Sequence, residues 1–226
     1  MSLKIIVSYD DTDNDRDALA LGRLLASSGA ELSLAYVRHS FGESLEQEQA
    51  EQLLARGAAS VGAPEMPKHV VVNPATSAGL TELAEQEQAD AIVFGSEYRT
   101  AAGLVKPGIS AHKLLLGGPA AIAVAPAGFH ADPAPSVSVV GVIDEGDSAA
   151  RGTANSLAGA LGAEVADHAP GRVDLLVVGS RPEALDGRVV LSAASDYAVE
   201  AANYPVLVIP RGVELDFGST PQPAAG

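Results

Sequence analysis

Short apolar runs, each followed by a longer amphipathic stretch, recur along this chain and constrain its fold more than any other feature. LKIIVSY, ELSLAYV, KHVVV, ADAIVFG and AAIAVAP read as strands. Between them, DNDRDALALGRLLASSG, ESLEQEQAEQLLARGAASVG, SAGLTELAEQEQ and ISAHKLLLGG read as helices. A strand that is apolar on both faces must be covered on both, which is the condition of a parallel sheet between layers of helices. The expected class is α/β, with right-handed crossovers between parallel strands.

After Pro126 the alternation stops. AGFHADPAPS is rich in Pro and Ala and has no period, so it reads as a linker. The pattern then restarts with VSVVGVID, SAARGTANSLAGALG, AEVAD, VDLLVVGS, SDYAVEAAN and YPVLVIPRG. This is an internal repeat. ADAIVFGS aligns with VDLLVVGS, setting Gly95 against Gly179, and the spacing from Gly95 to Gly108 equals that from Gly179 to Ser192. Both copies close on an apolar strand that ends in proline, at Pro126 and Pro210. The second copy is shorter, because only HAPGR separates AEVAD from VDLLVVG, where the first has a helix, a strand and another helix. The expected organisation is a domain over 1–127, a linker over 128–134, a shortened domain over 135–211 and a mobile tail over 212–226. The tail, ELDFGSTPQPAAG, shows no core-forming pattern.

Composition narrows the function. Hydrophobic residues are 47% of the 226, enough for a substantial core, and the absence of cysteine excludes disulfides, thiolate metal sites and a cysteine nucleophile. A formal charge of −15 opposes nucleic acid and anionic membrane surfaces, both of which need clustered Lys and Arg. A small anion held by backbone amides stays compatible with that charge. No apolar run approaches the roughly 20 residues of a membrane span. MSLKIIVSYDD enters a strand directly, without a signal-peptide pattern. The expected setting is the cytoplasm, with neither nucleic acid nor membrane as partner.

Three segments carry a resemblance. The first strand runs into VSYDDTDNDRDAL, the fourth continues as VFGSEYRTAAGLVKPGIS, and the second half closes on YPVLVIPRG. In order and spacing these resemble the universal stress protein family, with 1–127 as one domain and 135–211 as a shortened, degenerate second one. The resemblance implies two Rossmann-like domains of the adenine nucleotide alpha hydrolase-like type in tandem. It implies that they pack about a pseudo-twofold axis, with AIAVAP and VLVIP meeting at the interface. A further homodimer is a partner the sequence does not decide. For ATP-binding members, the resemblance places the adenosine part against Asp10 and Val37 and the phosphates against Gly95, Gly108 and the following helix start. Tyr9, Phe94, Tyr98, Ile109 and Ser110 complete the candidate site, with ATP and Mg²⁺ as the implied cofactors.

The departures from that pattern bear on function. Tyr98 stands where the family has its second loop glycine, and Ile109 where it has a hydroxyl residue. Ser110 comes one position late, about 100° around a helix, and reads either as an N-cap or as a phosphate contact. In the second copy Pro182, Ser192 and Ala193 replace the corresponding residues, so no nucleotide is expected there. GLVKPGIS fits the outer frame of a P-loop, but Ile109 takes the place of the obligatory lysine. YDDTDNDRDAL reads as a capped helix start on Thr12 or Asp13, as that cap with Asp10 added as a nucleotide contact, or as a Ca²⁺ loop. The last lacks its turn glycine and its closing glutamate. The five histidines, His39, His69, His112, His130 and His168, form no paired metal motif and read as surface or loop residues.

Three functions follow. The leading one is a regulatory or binding module in a stress response, with weak ATP binding in its first half and no turnover. The second is a slow ATP hydrolase or nucleotidyl-transfer enzyme using the same crevice. The third is an interaction scaffold with vestigial pockets, Tyr98 filling the phosphate space.

Overall fold

The computed structural model describes residues 2–27, 29–39, 45–132, 134–167 and 173–218. HAPGR, which includes His168, the first two residues of the expected second helix and the last eight residues lie outside them.

Each apolar run becomes a strand and each amphipathic stretch a helix. In chain order the elements are β1 (Lys4–Ser8), α1 (Asp13–Ala26), β2 (Glu31–Arg38), α2 (Gln47–Ser60), β3 (Lys68–Val72), α3 (Thr76–Glu87), β4 (Ala91–Gly95), α4 (Ile109–Leu114) and β5 (Ala121–Ala125). The second half gives β6 (Val139–Ile143), α5 (Ser148–Leu161), β7 (Glu164–Asp167), β8 (Leu175–Gly179), α6 (Ala193–Glu200) and β9 (Val206–Ile209). Helices α1, α2 and α5 bury Leu21, Leu54 and Leu157 on one face of the sheet, while α3, α4 and α6 bury Leu80, Leu114 and Val199 on the other. The acidic stretch forms the capped helix start. Thr12 is the N-cap of α1, its hydroxyl accepting from the Asp15 amide while the Asp15 carboxylate accepts from the Thr12 amide, a reciprocal capping box.

The nine strands among the described residues form one sheet, in the order β3-β2-β1-β4-β5-β9-β8-β6-β7. The two copies seen in the sequence therefore share a sheet rather than building two. Within each copy the strands are parallel; the join, β5 against β9, is antiparallel. Its register is self-complementary. Gly95 and Gly179 are 84 positions apart (179 − 95), which makes Ile122, Ala123 and Val124 the counterparts of Val206, Leu207 and Val208. The observed pairs are Ile122 with Val208, Ala123 with Leu207 and Val124 with Val206. Ala123 thus faces its own counterpart, while Ile122 faces the counterpart of Val124 and Val124 that of Ile122, as across a twofold axis passing between Ala123 and Leu207. The second copy shows no equivalent of β3 among the described residues, so its outer edge is β7.

Two of the segments expected to lie between or beyond the domains carry tertiary contacts. The linker is not loose at its start: Phe129–Ala131 form a 3₁₀ turn, and buried Asp17 of α1 accepts from the amides of Gly128 and His130, both at 2.8 Å. The expected mobile tail is packed as far as it is described. Leu215 and Phe217 are buried, the Leu215 amide donates to Thr153 Oγ1 at 2.9 Å and the Phe217 amide to Ser156 Oγ at 2.8 Å. The alternation Val213, Leu215, Phe217 was the sequence signal for this strap over α5.

Candidate functional site

In the first half the strand order reverses between β1 and β4, and a crevice opens beyond the carboxyl ends of these strands, as it does at a topological switch point. Its volume is about 360 Å³, and its walls include Asp10, Thr12, Asn14, Asp15, Phe94, Gly95, Glu97, Tyr98, Gly108, Ile109 and Ser110. Seven of the nine candidate residues are therefore brought together. Tyr9 and Val37 are not among those lining it. Both side chains are buried under helices, where a Cβ at Gly57 would meet the Tyr9 ring at 2.6 Å and one at Gly79 would meet Val37 at 2.9 Å.

Packing by itself requires a glycine at 95. A Cβ there would overlap the Asn14 carbonyl, because the first turn of α1 sits directly on the end of β4. The Asn14 side-chain amide fixes that contact by donating to the Ser96 carbonyl at 2.6 Å. Gly179 has the same duty in the second copy, where a Cβ would stand 2.6 Å from the Asp144 carbonyl oxygen. At Gly108, by contrast, a Cβ would meet nothing within 4 Å, and φ is an ordinary −71°. Gly108 is the N-cap of α4, which displaces Ser110 from the capping role: Ser110 is the second residue of the helix and lies on the crevice wall.

Behind the glycines lies a frame that the two copies share. Ser96 Oγ donates to the Ala125 carbonyl at 2.7 Å and accepts from the Lys106 amide at 3.1 Å. Ser180 repeats both bonds to Ile209 and Val190, at 2.7 and 3.1 Å. This buried serine ties the loop after the fourth strand to the closing strand, and with Asn14 and Asp15 it is a positioning residue that the spacing of glycines did not reveal.

Tyr98 does not plug the site. It is 77% exposed, as is Ile109, and the Arg99 guanidinium stacks over its ring at 5.2 Å from the centroid. The crevice is open but acidic. Asp10, Asp15 and Glu97 line it, and among the described residues no Lys or Arg does. Loss of water raises the Asp15 carboxyl above its ordinary value, against the hydrogen bonds from Thr12 and Asp10 that favour its charge. Asp10 is raised too, first by loss of water and then by the negative charge of Asp15. Lys106 lies outside the crevice, paired with Glu97 at 2.6 Å. Among the described residues no group of three acidic, His or Cys side chains gathers around a common point as metal ligands would. The carboxylates of the alternative Ca²⁺-loop reading are engaged otherwise, Asp13 with Arg16 at 3.2 Å and Asp15 in the Thr12 cap. A polyanion entering the crevice would meet the carboxylates of Asp10 and Asp15, while that of Glu97 is paired with Lys106.

The second copy closes the corresponding space with its own side chain. By the strand register Glu145 is the counterpart of Asp10, since Val140 and Ile5 sit opposite equivalent residues of β8 and β4. Glu145 reaches across to α6 and accepts from Ser192 Oγ at 2.5 Å and from Ser195 Oγ. Ser192, the counterpart of Gly108, is the N-cap of α6. A carboxylate therefore lies beside this helix start, and any ligand anion would have to displace it.

No protein-family model and no curated protein sequence matches the chain. Solved structures do. A functionally unknown protein from Pseudomonas aeruginosa superposes with a TM-score of 0.64 at 13% identity, covering 92% of both chains. A candidate universal stress protein from the same species gives 0.64 at 12% identity, covering 93% of both. A universal stress protein from Archaeoglobus fulgidus gives 0.58 at 17% identity, over 92% of this chain and 98% of that one. At such identities the likeness is one of fold, and it spans both halves.

Proposed function

We propose that this protein is a cytoplasmic regulatory module of the stress-protein type, without turnover of its own, whose first-half crevice takes an adenine nucleotide weakly and as its Mg²⁺ complex. One observation carries the reading: the crevice at the β1/β4 switch point is open above Gly108, yet lined by three carboxylates and, among the described residues, no cation. Apolar Phe94 and the uncluttered Gly108 backbone suit a base, a ribose and a first phosphate. The charge of Asp10 and Asp15, with Glu97 already paired to Lys106, opposes further phosphates unless Mg²⁺ accompanies them, with Asp10 as the exposed carboxylate able to face that ion. The whole-length likeness to stress-protein folds supports the class of function, and the closed second copy supports a single ligand per chain.

Isothermal titration with adenosine, ATP and ATP plus Mg²⁺ tests the proposal. Adenosine and Mg²⁺-ATP should bind with similar weak affinity, and Mg²⁺-free ATP about tenfold or more weakly. In Asp10→Asn the gap should narrow severalfold. Equal binding of ATP with and without Mg²⁺, or no binding of any of the three, would sink it.

A further inference from the structure

A second cavity, larger than the crevice, lies away from it. It holds about 480 Å³ on the outer side of α1, between that helix, the end of α2 and the strap that follows β5. Its floor is apolar, with Leu19, Ala20 and Leu24 of α1 and Val61 beyond α2. Its polar rim is unusual for a chain of formal charge −15, because Arg16, Arg23 and His130 converge on it against one carboxylate, Asp132.

These groups are held differently. Arg16 is tied to Asp13 at 3.2 Å. Arg23 is exposed and forms no ion pair among the described residues, so its five donors are available. His130 is fixed by a buried anchor: its Nδ1 lies 2.6 Å from Oδ1 of Asp17, a side chain that is 1% exposed. Asp17 also accepts from the Gly128 and His130 amides, so its carboxylate is an acceptor throughout and Nδ1 must donate to it. That sets the ring orientation and leaves Nε2 as the polar atom of His130 not committed to the protein. Ser60 borders the same cavity, but its hydroxyl donates to the Gly57 carbonyl at 2.7 Å and no hydrogen bond joins it to His130, so the three do not form a nucleophilic triad.

The second copy shows that this arrangement is particular to the first. By the same strand register Gly152 stands at the position of Asp17, and its Cβ direction is filled by the Glu214 side chain. Ala158 stands at the position of Arg23, and Arg151 of α5 is occupied by Asp144 and Asp167 at 2.8 and 2.7 Å. The buried anchor and the unpaired arginine belong to the half that has the cavity.

We propose that this cavity is a second ligand site, separate from the crevice, for a small amphipathic carboxylate. The apolar body would lie on Leu19, Leu24 and Val61, and the carboxylate would face Arg23. A planar guanidinium suits a carboxylate, which accepts from its paired donors, while His130, whose ring donates from Nδ1 to Asp17, forms a fixed wall beside it. The strap it touches joins the two halves of the sheet and is clamped to α1 through Asp17.

The experiment is an amide NMR titration of the full chain with hexanoate and, in parallel, hexylammonium, which has the same tail and the opposite charge. Saturable shifts at Ala20, Leu24, Val61 and Ala134 with hexanoate, at least tenfold weaker with hexylammonium, are expected. Arg23→Gln should weaken hexanoate about tenfold, the scale of one lost charge-assisted hydrogen bond. Ala20→Leu should block the site by filling it without altering charge. Equal response to both probes, shifts that never saturate, or full affinity in Arg23→Gln with a native spectrum would overturn the proposal. Adenosine titrated in the same way reports on Asn14, Phe94 and Ser110 instead, so failure at one site is distinguishable from failure at the other.

Discussion

Gly95 and Gly108 occupy matched places in the glycine pattern, yet the structure gives them different physical roles. A side chain at Gly95 would overlap backbone of α1, whereas one at Gly108 meets open space. Gly95→Ala should therefore destabilise by about 3 kcal/mol or more, since backbone rather than a mobile side chain has to yield. Gly108→Ala should cost only about 0.5 to 1 kcal/mol as a poorer N-cap. Urea unfolding of the two variants checks this, and equal losses would contradict the packing account. Tyr9 gives a pH dependence. Burial, and then its hydrogen bond to Asp11, push its phenol up to about 12. The unfolded chain releases that proton near its ordinary value of about 10. Stability is therefore full below about pH 10 and falls as pH rises toward about 12, by on the order of 2 kcal/mol from this group. Tyr204, also raised by burial, adds to the same limb, so Tyr9→Phe should shrink the alkaline loss without abolishing it. An unchanged slope between about pH 10 and 12 would exclude Tyr9 as its source.

Among elements, the instructive ones are those with no regular structure. The strap over 212–218 lacks helix or strand, yet it buries Leu215 and Phe217 against α5. Leu215→Ala should cost about 2 to 4 kcal/mol, the range for an emptied aliphatic core position, and a thermal or urea melt measures it. A loss under about 0.5 kcal/mol would mean that the strap contributes nothing to the core. The start of α6 makes a related point. Glu145 supplies acceptors to two serine hydroxyls there, so Glu145→Ala should destabilise by about 1 to 2 kcal/mol, because those groups lose their charged partner. Stability equal to the parent chain would show that solvent replaces Glu145 without cost.

At the scale of the whole molecule, a single sheet runs through both halves and its central join lies between fully buried strands. The residues around Ala123 and Leu207 pack on cores continuous with each half, so neither half ends in a finished surface at the junction. Calorimetry should accordingly show one cooperative transition. Two resolved transitions would show that the halves are energetically separate despite the shared sheet.

The strands, the helices and the matched positions of Gly95 and Gly179 were legible in the sequence, because apolar period and turn residues are local properties that a stretch carries wherever it is placed. What tertiary structure decided was every feature that depends on residues distant in the chain. That AIAVAP and VLVIP are strands is local; that Ala123 lies opposite Leu207 in one continuous sheet is not. Asn14 meets Ser96, Asp17 meets His130, Glu145 meets Ser192, and none of these pairs has a spacing that advertises it. The same holds for charge. Composition sets a total of −15, but folding alone put three carboxylates in the crevice and gathered Arg16, Arg23 and His130 around the cavity behind α1, because a helix and a strap far apart in the chain were packed side by side.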